Sequence, residues 1–227
     1  MTIDTRTHTN PPAPYVDPAP YGYLYLGFRA DPPRRVPFVP RSSRRRHVLR
    51  RCQEVTRRLQ AMDQVVSARV YRAVAIQPSA VSPRFDVIVL IETTTPDTVA
   101  AVRVTPEVQQ LDADFAMPAR NIRRLGDIDR SPSGTFLFNH FTADDPERAL
   151  RYFDSVAGWF THDAKVDDIA LIGPLEDAPY VFINQVRLPG TLAAFILALL
   201  RPNFRNSVYR KMRANRVGFA SIICKPV

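Results

Sequence analysis

His140, Gln185 and Arg187 are residues whose types could do chemistry together. A histidine takes or gives a proton near neutral pH, an arginine holds an anion, and a glutamine donates and accepts hydrogen bonds. Their spacing decides whether they meet. Successive side chains of a strand point to opposite faces. In the run 135–141, Phe136, Phe138 and His140 share one face, and Leu137, Asn139 and Phe141 the other. In the run 180–188, Val181, Ile183, Gln185 and Arg187 share one face, and Tyr180, Phe182 and Asn184 the other. If the two runs are neighbouring strands, His140, Gln185 and Arg187 face one cavity, with Phe136 and Phe138 as its apolar wall. The catalytic candidates are then His140, as a general base, and Arg187, as the cation for an oxyanion. The substrate-binding candidates are Phe136, Phe138, Asn139, Asn184 and Gln185. An amide buried without a partner costs about 1–3 kcal/mol, so Asn139 and Asn184 either satisfy each other or meet a polar group of a ligand. A strand histidine can equally be a satisfied core residue.

These positions stand out because the chain contains a similar unit twice. Residues 22–33 read GYLYLGFRADPP and 134–146 read GTFLFNHFTADDP, with Phe28 on Phe141, Ala30 on Ala143 and Asp31 on Asp144. Residues 87–102 and 180–195 align Pro96 with Pro189, Thr98 with Thr191, and Ala100–Ala101 with Ala193–Ala194. Two matches in the same order point to a duplication. Under this alignment the apolar Leu26 and Ile91 of the first half become Asn139 and Asn184. The first-half partners of His140, Gln185 and Arg187 are Gly27, Glu92 and Thr94, so that half lacks the same site. The tyrosines Tyr21, Tyr23 and Tyr25 either line a first-half cavity or form an exposed strand face.

The elements that must position these residues follow from periodicity. Residues 1–20 hold five prolines and few apolar side chains, and read as a disordered or extended arm. A strand is expected over 21–29 and a proline-broken loop over 31–41. Ser42 or Ser43 caps a helix with an apolar stripe at Val48, Cys52, Val55, Leu59 and Met62. Strands follow over 65–77 and 85–94, joined by a proline-bounded turn, then a helix with an internal proline over 98–111 and a strand over 119–128. The second half repeats this order. A strand over 135–141 leads to a helix starting at Pro146, with Ala149, Tyr152, Phe153, Val156 and Phe160 on its apolar face. Strands over 169–173 and 180–188, a helix over 191–213 bent near Pro202, and a strand over 219–224 complete it. Trp159 reads as core. His162 reads as a charge partner at a helix C-terminus. His8 and His47 sit in the arm and in an arginine-rich helix, and neither attracts a catalytic role.

Each half is thus β-α-β-β-α-β, the ferredoxin-like arrangement. The expected fold class is α+β, with two tandem ferredoxin-like units forming one intramolecular α+β barrel. The expected division is an arm over 1–20, a first repeat over 21–130 and a second over 131–227. At this point the chain resembles the dimeric α+β barrel superfamily. Thr94-Thr95-Pro96 and Thr105-Pro106-Glu107-Val108-Gln109-Gln110-Leu111 are similar to the end of strand three and the second helix of its antibiotic-biosynthesis-monooxygenase branch. The resemblance implies a cavity for a small, often aromatic ligand, among relatives that include cofactor-free oxygenases, haem-using enzymes, isomerases and proteins of no known activity. Fold alone does not settle function.

Composition narrows the classes. The 227 residues carry a net charge of +9, almost all of it from arginine, concentrated over 29–58 and 201–216. Such patches bind phosphate or anionic lipid, or are solvated helix faces. The basic run 41–58 has no interleaved aromatics, which argues against nucleic acid. No phosphate loop, Gly-x-Gly-x-x-Gly or Gly-x-Ser-x-Gly occurs, and no cluster has zinc spacing. Cys52 and Cys224 read as two reduced small hydrophobes. The first residues carry no apolar signal core, and the longest apolar run, 192–200, is too short to span a bilayer, so a cytoplasmic location is expected. The leading reading is an enzyme on a hydrophobic aromatic or polyketide-like substrate, in its most specific form a monooxygenase with no cofactor. The alternatives are a haem-binding protein using His140 as axial ligand, and a non-catalytic ligand- or membrane-binding module in peripheral contact with lipid. Self-association stays open.

Overall fold

The computed structural model describes residues 11–33, 37–79, 82–127, 133–199, 208 and 210–227. The strands are β1 (Gly22–Phe28), β2 (Val65–Ile76), β3 (Val87–Thr93), β4 (Phe115–Leu125), β5 (Phe136–Thr142), β6 (Ile169–Pro174), β7 (Phe182–Arg187) and β8 (Gly218–Pro226). The helices are α1 (Ser43–Leu59), α2 (Thr98–Arg103), α3 (Pro106–Gln109), α4 (Pro146–His162), α5 (Leu192–Leu199) and α6 (Arg210–Ala214). The eight strands close into an antiparallel barrel in the order β1-β3-β2-β8-β5-β7-β6-β4. Each half supplies a four-stranded stretch, β4-β1-β3-β2 and β8-β5-β7-β6. The halves are joined edge to edge through β2–β8 and β4–β6. Closure pairs the outer strands of both halves with each other.

The helices begin where side chains can satisfy their first amides. Ser42 caps α1 by accepting from the Arg45 amide, and Asp145 caps α4 by accepting from the Arg148 amide, with Pro146 in the first helical turn. The stripe Cys52, Val55 and Leu59 is buried against the outer face of the first half's strands, among Leu24, Leu26 and Val89. In the second half Tyr152, Phe153 and Val156 of α4 cover Leu137, Phe141 and Phe182. The expected helix over 98–111 is two short ones, because Pro106 lacks the amide that would continue α2 and instead starts α3 behind a Thr105 cap. The strand expected over 119–128 begins four residues earlier, at Phe115. The expected bend near Pro202 lies outside the described residues.

The third core is the inside of the barrel. An eight-stranded barrel is just wide enough for side chains to fill it. Tyr25, Tyr71, Phe85, Phe136 and Phe138 do so, with ring centroids 5.1 Å apart for Tyr71 and Phe138 and 5.9 Å for Tyr25 and Phe138. Tyr23 and Tyr25 are therefore neither exposed nor cavity-lining, but packed within a closed barrel.

Of the arm expected over 1–20 as disordered or extended, the described part is extended and docked. Residues 11–20 lie along the outside of β4. Val16 forms a bridge with Arg124, the Ala19 amide donates to Asn121 Oδ1 at 2.9 Å, and Arg124 Nε donates to the Asp17 carbonyl at 3.1 Å. Ala13 is buried and Tyr15 packs against the second half's core. Prolines keep this stretch out of a regular ladder but leave its carbonyls and apolar faces free to dock.

Candidate functional site

The strand register shows which faces meet. In the second half Asn139 lies directly opposite Asn184 on β7 and opposite Ser221 on β8. The matching row of the first half is Val89, Leu26 and Ala116. Asn184 is thus the counterpart of Val89 rather than of Ile91, and Gln185 and Arg187 are the counterparts of Leu90 and Glu92. The shift is two residues, an even number, so the face assignment survives it.

This row of three polar residues, where the first half has three apolar ones, lies under α4 and α5. Above it is a cavity of about 450 Å³. Leu137, Phe141, Phe153, Phe195 and Phe219 supply apolar walls, and Gln77 and Pro37 of the first half close its rim. Ser221 Oγ donates to Asn139 Oδ1 at 2.5 Å. The Ser221 backbone is tied to Gln77 in both directions: its amide donates to Gln77 Oε1 at 3.1 Å and its carbonyl accepts from the Gln77 amide at 2.8 Å. With its oxygen engaged, Asn139 offers its NH₂ to the cavity. Asn184 is 4% exposed, and its Oδ1 is buried with no hydrogen-bond partner among the described residues. An unmet acceptor in an apolar pocket is a place for a ligand's donor.

Of the expected site residues, the cavity gathers Asn139 and Asn184. His140, Gln185, Phe136 and Phe138 share a face, as alternation requires, but that face is the barrel interior. His140 is fully buried there. Its Nε2 is 2.8 Å from the Tyr25 hydroxyl and its Nδ1 is 3.3 Å from the Ala220 carbonyl. Gln185 Nε2 donates to the Tyr71 hydroxyl at 3.4 Å, and Gln185 Oε1 has no partner. Arg187 lies exposed at the end of β7, beside Gly134. His140 and Gln185 thus face the packed barrel interior and Arg187 lies exposed, so the three do not line one cavity; the cavity described above lies on the opposite face. Burial pushes the His140 pKa from 6.5 down to about 4, partly offset by hydrogen bonds to the Ala220 and Phe138 backbone, so the ring is neutral at pH 7. Burial likewise raises Tyr25 well above its ordinary value.

Ser221 had a usable signal. It sits between Phe219 and Ile223 on β8 as a polar residue on an otherwise apolar stretch of that face. Gln77 and Pro37 had none, because they come from the other half and reach the cavity only through the β2–β8 junction.

Among the described residues the cavity lining offers no histidine, cysteine or methionine as an axial ligand, and the Tyr152 hydroxyl donates to the Val208 carbonyl at 3.4 Å. His140, the expected axial ligand, points away into a packed interior with both ring nitrogens engaged. Among the described residues, no group of three or more His, Cys, Asp or Glu side chains is placed to hold a metal ion.

No protein-family model matches the chain, and no curated protein matches it by sequence. Solved structures match over nearly its whole length. An anthrone oxidase-like protein superposes with a TM-score of 0.60 at 11% identity, covering 91% of each chain. A candidate chlorite dismutase superposes at 0.53 and 12% identity, covering 91% of this chain and 94% of the other. A candidate monooxygenase from Fusobacterium nucleatum subsp. nucleatum superposes at 0.51 and 5% identity, covering 91% of each. The chain has the α+β barrel fold. At these identities the likeness is one of fold, and the barrel's chemistry must be read from its own cavity. Among the described residues no helix is long and apolar enough to cross a membrane.

Proposed function

We propose that the barrel binds a hydrophobic aromatic or polyketide-like molecule between the strands and helices of its second half, and oxidises it with dioxygen. The observation that carries this reading is Asn184 Oδ1, buried and unpartnered in a cavity with otherwise mostly apolar and aromatic walls. Such a site suits a flat apolar body with a few fixed polar groups. A ligand hydroxyl donates to Asn184 Oδ1, while the Asn139 NH₂ donates to a ligand carbonyl. The second contact strengthens as that carbonyl becomes an enolate, which favours loss of a neighbouring C–H proton. The anthrone oxidase-like neighbour supports this substrate class.

For an anthrone the atoms balance without a resident redox group. The ring methylene loses a proton to solvent, and the carbanion passes an electron to dioxygen. The two radicals combine as a carbon-bound peroxide, which sheds water. Anthrone and dioxygen give anthraquinone and water, with all four electrons drawn from the substrate. The protein's part is to hold the enolate oxygen and to enclose the ring.

The test pairs anthraquinone binding, read by fluorescence quenching, with dioxygen uptake on adding anthrone. Wild type should bind saturably and consume one dioxygen per anthrone faster than buffer does, and Asn184→Val should be impaired in both. Binding without uptake would make the barrel a binding module and remove the oxidation step. No binding by wild type would remove the reading of the cavity.

A further inference from the structure

The mouth of the cavity carries apolar side chains that no fold requirement explains. Pro37 and Ile196, from different halves of the chain, both line the cavity. Next to them in the chain, Phe38 is 77% exposed and Leu197 is 65% exposed, with Ile196 itself 46% exposed. Phe38 is held out from the body: it bridges Ala75 on β2, and the Ile76 amide donates to the Pro37 carbonyl at 2.7 Å. Phe38, Ile196 and Leu197 are thus three large exposed apolar side chains at or next to cavity-lining positions.

Exposed cations follow cavity-lining residues closely in the chain in both halves. Arg41 and Arg44 are exposed, and Arg41 is three residues from Phe38, within about 10 Å by chain reach. Arg210 and Lys211 are exposed two and three residues beyond Val208, which lines the cavity. Neither 37–47 nor 208–216 contains a carboxylate. A few scattered apolar tips within basic surroundings match a bilayer interface, where the tips enter the acyl boundary and the cations meet headgroup phosphates. They do not form the continuous apolar face that a protein partner of ordinary interface size needs.

We propose that the cavity mouth docks on an anionic lipid bilayer, so that an apolar ligand moves between membrane and cavity without crossing water. The docking stands on the rim residues alone and is tested without any ligand. The full chain is floated with vesicles of phosphatidylglycerol and phosphatidylcholine, and with phosphatidylcholine alone. It should float with the anionic vesicles only, and 1 M salt should release it, since screening then acts within about 3 Å. Phe38→Ser and Leu197→Ser, neither of which lines the cavity, should each weaken partitioning about tenfold. Arg41→Ser should weaken it about fivefold. Unchanged melting temperatures establish that the variants remain folded. The proposal is overturned if wild type does not float with anionic vesicles, or if it floats and the Phe38 and Leu197 variants float equally well. It is also overturned if those variants abolish self-association in sedimentation while no vesicle binding is seen, which would assign the rim to a second copy of the chain.

Discussion

Replacing Asn184 by valine should move stability and binding in opposite directions. The row Asn184–Asn139–Ser221 stands where the first half has Val89–Leu26–Ala116, so valine at position 184 is already compatible with this strand geometry. Asn184 Oδ1 is buried without a partner, and such a group costs the free protein about 1–3 kcal/mol. Valine removes that cost and suits a strand. The variant should be more stable by about 1–3 kcal/mol, and a chain of this length gains about 2–4 °C in melting temperature per kcal/mol. The ligand, however, loses its acceptor and buries an unmet hydroxyl. A penalty of about 1–3 kcal/mol is roughly a 5- to 150-fold loss of affinity. Urea denaturation and quenching titrations on the same preparations measure both quantities. Destabilisation by more than about 1 kcal/mol, within the usual range for losing a satisfied buried hydrogen bond, would show that Asn184 is a partnered structural residue, and the case for a ligand at that oxygen would collapse.

Three further outcomes are expected. Because burial lowers the His140 pKa to about 4, the unfolded chain binds its proton first; stability is complete above pH 6.5 and falls by about 3 kcal/mol as pH drops through 4. His140→Gln should flatten this part of a denaturation-versus-pH profile, and an unaltered profile would show that other groups govern it. Deleting residues 1–20 strips Asn121 of the Ala19 amide and uncovers the surface under Tyr15, so it should cost at least about 2 kcal/mol in urea unfolding, where a dispensable arm would cost nothing. In Gly27→Ala the new Cβ would stand 2.6 Å from the Phe85 ring inside the barrel, and calorimetry should record a loss of about 1–3 kcal/mol unless Phe85 has room to turn.

The order of strands and helices was legible in the sequence because each carries its own period. The stripe Cys52, Val55, Leu59 and the alternation through 136–141 both describe faces that the structure keeps. The strand register pairs Leu26 with Val89 as it pairs Asn139 with Asn184, where the ungapped alignment put Ile91 against Asn184. Alternation tolerates that error, since it depends only on whether a shift is odd or even. The docking of residues 11–20 was not legible, because one bridge and a few side-chain contacts to β4 leave no periodic trace. The rim from Pro37 and Gln77 was hidden for a related reason: it depends on which strands of different halves are neighbours, and no local pattern records that.

What alternation cannot say is which of two buried faces encloses space. In an open sheet one face is wet, and polar residues mark it. A closed barrel covered by helices buries both, so His140 and Gln185 on one face and Asn139 and Asn184 on the other looked equally like a site. Side-chain size separates them. The interior of an eight-stranded barrel must be filled, and it is filled with rings: Tyr23, Tyr25, Phe136 and Phe138 all lie on the same face as His140. The helix-covered face of the second half instead pairs an amide with an amide and a serine, under a helix whose nearest side chains leave room. A polar side chain among large interior rings is therefore best explained as packing that has met its hydrogen bonds, as His140 has with Tyr25 and Ala220. A polar side chain that keeps an oxygen unmet and also lines a cavity, as Asn184 does and Gln185 in the filled interior does not, is better explained by something that comes and goes. On that ground Asn184, rather than the histidine beside it in the sheet, is where the barrel's function is to be sought.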